Sequence, residues 1–509
     1  MTKKLRFLLL FVFFTQTILA QQAPSIQWQK IYGGSKDDRA YDIQLTPDGG
    51  YIVAGETKSN NWDVTGNNNS SNGYYSNNWI VKLTPAGTLQ WQKCFGGIYF
   101  DAAKSIKPTT DGGYIVAGDI FASSPREYDY SVIKLNSNGE IQWQKALGGA
   151  ADDRANSVQQ TPDGGYIVAG YSNSTDGNVT GNHGKYDYWI VKLSSSGDIQ
   201  WEKTLGGSSD DKANSVQLTA DGGYIVAGFT GSNNFDVTGN NGFDDAWIVK
   251  LNSDGTIQWQ KALGANGQDY TRSIRRTNDG GYILAGYTYS YRNDFPGFND
   301  RPDYWIVKID GNGTFQWQRS IGGAYTEIAH AVQPTTDGGY VIIGESNSLD
   351  GSITSNLGKT DGWLVKVNSS GAIQWQKSLG GNQNDFGHAV QQTADGGFVV
   401  AGYSDSGIGD NTNIYGGDGF WIVKLGPDIL NTGEASVDSV VNVENPVKNE
   451  IIVQSKDKIT SLQLYSMDGK LVKRSNNKNM LVSEISKGNY LLKIELESGK
   501  IISKKLIKE

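Results

Sequence analysis

The segment Asp48-Gly-Gly-Tyr-Ile-Val-Ala-Gly55 recurs with small changes, its Asp falling at 48, 111, 163, 221, 279, 337 and 395. The spacings are 63, 52 and then 58 four times. A repeat of this length is one supersecondary unit that cannot bury its apolar face alone and must stack on its neighbours. Each unit reads as four strands. In the third, these cover residues 155–161, 165–171, 188–193 and 199–203. Tight hairpins join them at Pro162-Asp163-Gly164 and around Gly197, where glycine supplies positive φ. Glycine makes up 65 of 509 residues, well above the usual ~7%, as a turn-rich all-β chain requires. Repeated antiparallel four-stranded units are the blades of a β-propeller.

The ends of the array predict how the ring closes. A "QWQK"-type Trp stands at 28, 91, 143, 201, 259, 317 and 375. The third strand begins at Trp79, Ser131, Trp189, Trp247, Trp305, Trp363 and Trp421. In six units the fourth-strand Trp follows 12 residues later. None follows Trp421, and an unmatched Ile26-Gln-Trp-Gln-Lys30 stands alone at the start. The sequence thus predicts seven blades, with the N-terminal strand completing the last and leaving no gap between first and last blades. The G-x-x-x-W pattern resembles PQQ-like and other Trp-bearing propeller repeats, which bears on architecture only. The recurring Trp residues read as structural wedges between blades.

Residues 1–20 read as a signal peptide. Lys3, Lys4 and Arg6 precede an apolar run over residues 7–14, and Ala20 is a small residue at the cleavage point. The run is too short to span a bilayer, and no later segment is a transmembrane candidate. The propeller is expected over residues 21–425 and a linker over 426–442. Cys94 is the single cysteine, so stability rests on burial and ring closure rather than a disulfide. Of the formal charge of −8, residues 1–20 contribute +3 and residues 443–509 contribute +5, leaving −16 on residues 21–442. An acidic body lacks the basic footprint of a nucleic-acid binder.

Residues 443–509 change character: glycine falls and lysine rises. Four motifs occur in order: Asn445-Pro446, Asp468-Gly469-Lys470-Leu-Val472, Ile485-Ser-Lys-Gly488-Asn-Tyr490, and Lys504-Lys505-Leu-Ile-Lys508. Together they resemble the type A C-terminal sorting domain of type IX secretion in Bacteroidetes. Ile485 stands for the usual Leu and Asn489 for the usual Val. The resemblance implies a small β-sandwich and a secretion-machinery partner reading residues 443–509. It also implies export through the periplasm to secretion or outer-membrane surface attachment. An ordinary Fn3-like module is the bland alternative.

Function is expected on the long-loop face, where the second-to-third and fourth-to-first connections lie, since loops on a rigid scaffold carry it. Its aromatics Trp62, Tyr74, Tyr75, Phe235, Tyr289, Tyr291 and Phe295 could stack on sugars or a protein partner, or pack on their own blades. Two acidic sets lie there. Asp38, Asp101, Asp153, Asp211, Asp269, Glu327 and Asp385 sit ten residues before each hairpin Asp, and Asp129, Asp187, Asp245, Asp303 and Asp361 two before the third-strand Trp position. Ca²⁺ is the one conceivable cofactor, at Asp153, Asp187, Asp211 and Asp245. The alternative, which a sevenfold pattern favours, is that they cap loop N–H groups.

Catalytic signals are weak. There are three histidines, no metal-spaced His/Cys cluster and no G-x-S-x-G elbow. The expected function is a non-enzymatic adhesion or carbohydrate- or protein-binding module. The rivals are a carbohydrate-active hydrolase or lyase on the same face and a structural surface component. Unlike, non-repeating polar residues in one central pocket would favour the enzyme, and a sevenfold-equivalent face the other two.

Overall fold

The structure is a computed structural model. It describes residues 22–67, 74–121, 127–290, 301–406, 417–428, 442–443, 446–455, 458–466, 470–497 and 501–508. The signal-peptide segment lies outside them. The chain divides after Asp428 into two compact units.

The first unit is seven four-stranded antiparallel sheets, the blades of a propeller. In blade 3 the strands are Asp153–Gln160, Tyr166–Ser172, Asp187–Leu193 and Ile199–Leu205. The first and third begin earlier than the hydrophobic alternation suggests. The reason is that Asp153 and Asp187 both lie opposite Ser172 inside the ladder.

The predicted closure is present. Ile26–Tyr32 joins Gly419–Leu425 as the outer strand of blade 7. Ile31 lies opposite Trp421, and Tyr32 opposite Phe420.

Blades are stitched by aromatics of two kinds. Third-strand Trp residues such as Trp189 and Trp247 are fully buried. The Tyr one blade back packs on this Trp and donates to its carbonyl. Tyr130 reaches Trp189 at 2.7 Å, and Tyr188 reaches Trp247 at 2.8 Å. Fourth-strand Trp residues, all but Trp375 partly exposed, pack against a second-strand aromatic of the following blade, as Trp143 does edge-on against Tyr166. A Cβ on hairpin Gly197 would strike the Trp143 ring, so this glycine (φ 82°) is needed for space as well as conformation.

The opposite, tight-hairpin face carries an ion pair in every blade. Lys192 Nζ meets Asp163 at 2.8 Å, and Lys366 meets Asp337 at 2.8 Å with its own side chain fully buried. Hydrogen bonds from Lys192 and Thr161, with the Gly165 N–H, hold Asp163 down to about 2 against desolvation.

Every first strand carries a bulge, between Ala40 and Asp42 in blade 1 and at the equivalent place in the other six. A bulge re-aims side chains and breaks simple alternation. Here two successive residues, such as Tyr41 and Asp42, line the central channel. In blades 1 to 5 the second of them accepts a backbone N–H from a neighbouring blade: Asp42 from Ile106 at 2.9 Å, and Ser157 from Val216 at 3.2 Å.

The second unit pairs a three-stranded sheet (Asn442–Val443, Glu450–Gln454, Asn479–Leu481) with a four-stranded one. The latter runs Leu471–Ser475, Ile459–Ser466, Gly488–Leu496, Ile501–Lys508. Ile451 and Val453 from the first meet Leu462, Leu464, Leu492 and Ile494 from the second in one core. This is a small β-sandwich. No helix among the described residues is long and apolar enough to cross a membrane.

Candidate functional site

The structure sorts the predicted loop residues into distinct settings. Trp62 and Phe235 are 53% and 65% exposed, and both adopt left-handed backbone, φ 56° and 54°. The loops around them are anchored by Val64 and Val237, which are fully buried. Phe235 stacks on His183 with centroids 4.9 Å apart. Tyr74 and Tyr75 join Phe100 in an aromatic cluster, with Tyr75 also against Tyr99. Tyr74 is exposed and Tyr75 half-buried. Tyr289 is exposed and lies edge-on to Tyr287. Tyr291 and Phe295 lie outside the described residues.

The acidic sets meet at the blade junctions. Asp211 accepts from Thr230, from Ser232 at 2.9 Å and from the Gly207 N–H at 2.7 Å. Asp153 accepts from Gly149 and Ser174 in the same way. Asp187 accepts from the His183 N–H at 2.8 Å, and Asp245 from Asn241 at 2.8 Å. Each of these last two keeps one buried oxygen without a hydrogen-bond donor. Burial, with the neighbouring Asp211 or Asp269 charge, pushes Asp187 and Asp245 up to about 6. Asp303, beside Glu327, is pushed by burial and that charge to about 7. Among the described residues no group of three or more His, Cys, Asp or Glu side chains is placed to hold a metal.

Sequence reading passed over the channel. First-strand residues of all seven blades line a cavity of about 100 Å³ there. One ring of equivalent positions carries Tyr41, Lys104, Asn156, Asn214, Arg272, His330 and His388. Asn156 and Asn214 donate to the backbone of the next blade, to Ala213 and Thr271 at 2.8 Å. His330 pairs with Glu345 at 3.0 Å and packs on His388 with centroids 4.4 Å apart. The His388 Nε2 is buried without a partner, and desolvation, with the neighbouring cations, pulls this ring well below its ordinary pKa.

Three residues further along the strand, a relay of side chains runs round the wall. Arg275 donates to Gln333 at 3.1 Å, Gln333 to Gln391 at 2.9 Å, Gln391 to Gln44 at 3.4 Å, and Gln44 to Asp42 at 2.8 Å. Lys107 reaches Asp42 from the other side at 2.7 Å. The sequence signal for the site was available: at the upper ring seven otherwise similar repeats carry five residue types, and at the lower level Lys107 and Arg275 replace the Gln of the other five.

Of the sorting-motif residues, Pro446, Gly488, Tyr490 and Lys504 are described. Asn445, Asp468 and Gly469 lie outside the described residues, as does the side chain of Lys505. Gly488 opens a strand with φ 155°. The Tyr490 hydroxyl donates to Ser486 at 2.8 Å. Lys504 lies opposite Leu492, and Lys505 opposite Leu491.

Residues 445–509 match the family described as "Secretion system C-terminal sorting domain". The regulatory protein FlaEY of Caulobacter vibrioides is 22% identical over 385 residues, 67% of this chain and 39% of its own length. The chain thus spans well under half of that relative. The Pan2 WD40 domain of Neurospora crassa aligns with 78% of this chain and 94% of its own at 11% identity and TM-score 0.45. Puromycin hydrolase aligns with 93% and 62% at 10% identity and TM-score 0.46. The propeller assignment stands on the sheet order and the strand pairing. The chain is a repeat seven-bladed β-propeller carrying a C-terminal sorting domain of the type IX secretion system, which marks it for export to secretion or surface attachment.

Proposed function

We propose that the exported propeller is a non-enzymatic adhesion module that binds glycan or protein through its long-loop face. One observation supports this most directly. Blades 3 and 6 place Gly177 and Gly351 at the left-handed loop position, both at φ 65°. Blades 1 and 4 place Trp62 and Phe235 there. A bulky residue in that conformation costs on the order of 1–3 kcal/mol. Phe235 recovers part of this by stacking on His183, yet more than half the surface of both side chains stays exposed. An aromatic kept at such cost is read as serving a contact outside the chain, and a flat ring stacks on a sugar or fills a partner's pocket.

The test is a glycan and host-protein array on the secreted chain, alongside Trp62→Gly and Phe235→Gly. Both variants should melt no lower than the parent while losing array signal. Undiminished binding would refute the reading.

The rival reading, a carbohydrate-active hydrolase or lyase, draws support from the channel. Its ring of side chains holds a His330–Glu345 pair and the His388 imidazole, whose Nε2 lacks a hydrogen-bond partner, groups suited to proton transfer. Turnover of an array ligand by the secreted chain, lost in His330→Gln, would favour it. A purely structural surface role has no comparable support. We read the junction carboxylates as loop caps rather than Ca²⁺ ligands, because Asp153 and Asp211 already accept two or three hydrogen bonds each.

A further inference from the structure

The channel wall carries charge of the opposite sign to the body around it. Residues 21–442 bear −16, yet the charged side chains lining the cavity are Lys104, Lys107, Arg272, Arg275 and one acid, Asp42. Their placement is not diffuse. Both lysines come from blade 2 and both arginines from blade 5, nearly opposite in a ring of seven. Lys104 and Arg272 share one level, and Lys107 and Arg275 the next. The equivalent positions in blades 3 and 4 are Asn156 and Asn214 above and Gln159 and Gln217 below. The repeat therefore needs no cation there to fold.

The single acid does not balance the set. Asp42 is engaged by Lys107, by Gln44 and by the Ile106 N–H. Among the described residues, Lys104, Arg272 and Arg275 make no ion pair. Lys104 lies over the Tyr41 ring at 3.9 Å. Arg272 donates to the Tyr287 hydroxyl at 3.3 Å. Arg275 gives its Nε to Gln333 and its Nη1 to Ser215 and the Ile274 carbonyl. The cations also act on one another. Burial holds Lys107 below its ordinary pKa, Asp42 restores part of it, and Arg275 lowers it again. Lys107 and Arg275, drawn out of water on facing blades, share the one carboxylate of Asp42, and an anion beside them supplies the further counter-charge.

We propose that the central channel is a binding site for one oxyanion group, a carboxylate, sulfate or phosphate, clamped between Lys104 and Lys107 of blade 2 and Arg272 and Arg275 of blade 5. The cavity, about 100 Å³, holds several waters and so has room for an oxyanion. A larger ligand would place its acidic group between the cations. This site is independent of the loop aromatics, so either reading stands if the other fails.

The secreted chain is titrated by calorimetry and thermal melting with inorganic phosphate, sulfate and sodium glucuronate. Sodium chloride at matched ionic strength and glucose serve as controls. A saturable isotherm and a raised Tm are expected with at least one oxyanion and with neither control. Phosphate or sulfate binding without glucuronate identifies a tetrahedral-anion site, and the converse a carboxylate site. Lys104→Asn with Arg272→Asn, the residues found in blades 3 and 4, should weaken binding at least tenfold. This variant should remain folded without ligand, since Asn already stands at the equivalent positions of blades 3 and 4. Lys93→Gln on an outer strand should bind as the parent does. Equal responses to oxyanion and chloride, or undiminished binding by the double variant, would overturn the proposal.

Discussion

The carboxylates of Asp187 and Asp211, from adjoining blades, converge on the α-carbon of Gly206. A Cβ built there would lie 2.5 Å from an oxygen of one and 2.7 Å from an oxygen of the other. Two buried acids this close do not both ionise without cost. Asp245 with Asp269, Asp303 with Glu327, and Asp361 with Asp385 repeat the arrangement, each with the first acid pushed up to about 6 or 7 by burial and its neighbour.

Stability is expected to fall as pH rises. Between about 4 and 7 the folded chain binds more protons at these pairs than the unfolded chain does. Their contribution is full below about pH 4 and is lost as pH rises through 6 to 7. The hairpin carboxylates act oppositely, since Asp163 is held at about 2 and gives way only in strong acid. Urea melts should therefore place the stability maximum near pH 4–6. Asp303→Asn should flatten the decline above pH 6 and gain on the order of 1–3 kcal/mol at pH 8, since each tenfold change in proton affinity is worth about 1.36 kcal/mol. Asn77 already occupies the equivalent place in blade 1. A maximum at pH 8 would contradict this account.

Calcium should matter little. A cation bound only by the folded chain adds about 2.7 kcal/mol at a hundred times its dissociation constant. Capping carboxylates gain only weak screening. Millimolar Ca²⁺ is expected to move Tm by no more than Mg²⁺ does. A large Ca²⁺-specific shift, abolished by Asp187→Asn with Asp211→Asn, would turn the junctions into metal sites.

Closure should be worth more than one strand. Removing residues 21–31 strips Ile31 from Trp421 and leaves the third strand of blade 7 as an unpaired edge. The truncated ring should melt many degrees lower and aggregate. Melting like the full chain would show that the strand is dispensable.

Tyr188→Phe removes a buried hydrogen bond to Trp247 while keeping the ring contact. A loss of about 1–2 kcal/mol is expected. Tyr304→Phe, whose partner is Trp363 at 2.8 Å, should add to it independently. Both are read from denaturant midpoints at constant slope.

Removing residues 443–509 should leave a folded propeller trapped in the periplasm. Cell fractionation checks this, and normal surface appearance without the tail would contradict the sorting role.

The blades and their closure were legible because the signals are local. The Asp-Gly-Gly turn marks the first hairpin of every blade, and the unmatched strand at Trp28 has one vacancy to fill. The channel was not legible because the bulge between Ala40 and Asp42 shifts the side-chain period within a single strand. Strict alternation does not place Tyr41 and Asp42 on the same wall. The Lys192–Asp163 pair was hidden differently, its members being 29 residues apart and joined only by hairpin register. At Trp62 the aromatic was visible but the strain was not. Alignment with Gly177 carried that signal.

The closing strand also poses a problem of order. Its sequence, Ile26-Gln-Trp-Gln-Lys30, is nearly that of every other fourth strand, so composition alone does not direct it to blade 7. Time does. Each other third strand is followed within a short turn by its own partner, and such hairpins form in microseconds. Joining Ile31 to Trp421 closes a loop of roughly 390 residues, at an entropic cost of about 5 kcal/mol. By the time the first strand finds an edge, one is left. The ring is assembled by elimination, and until then the newest blade waits for the oldest residues of the chain.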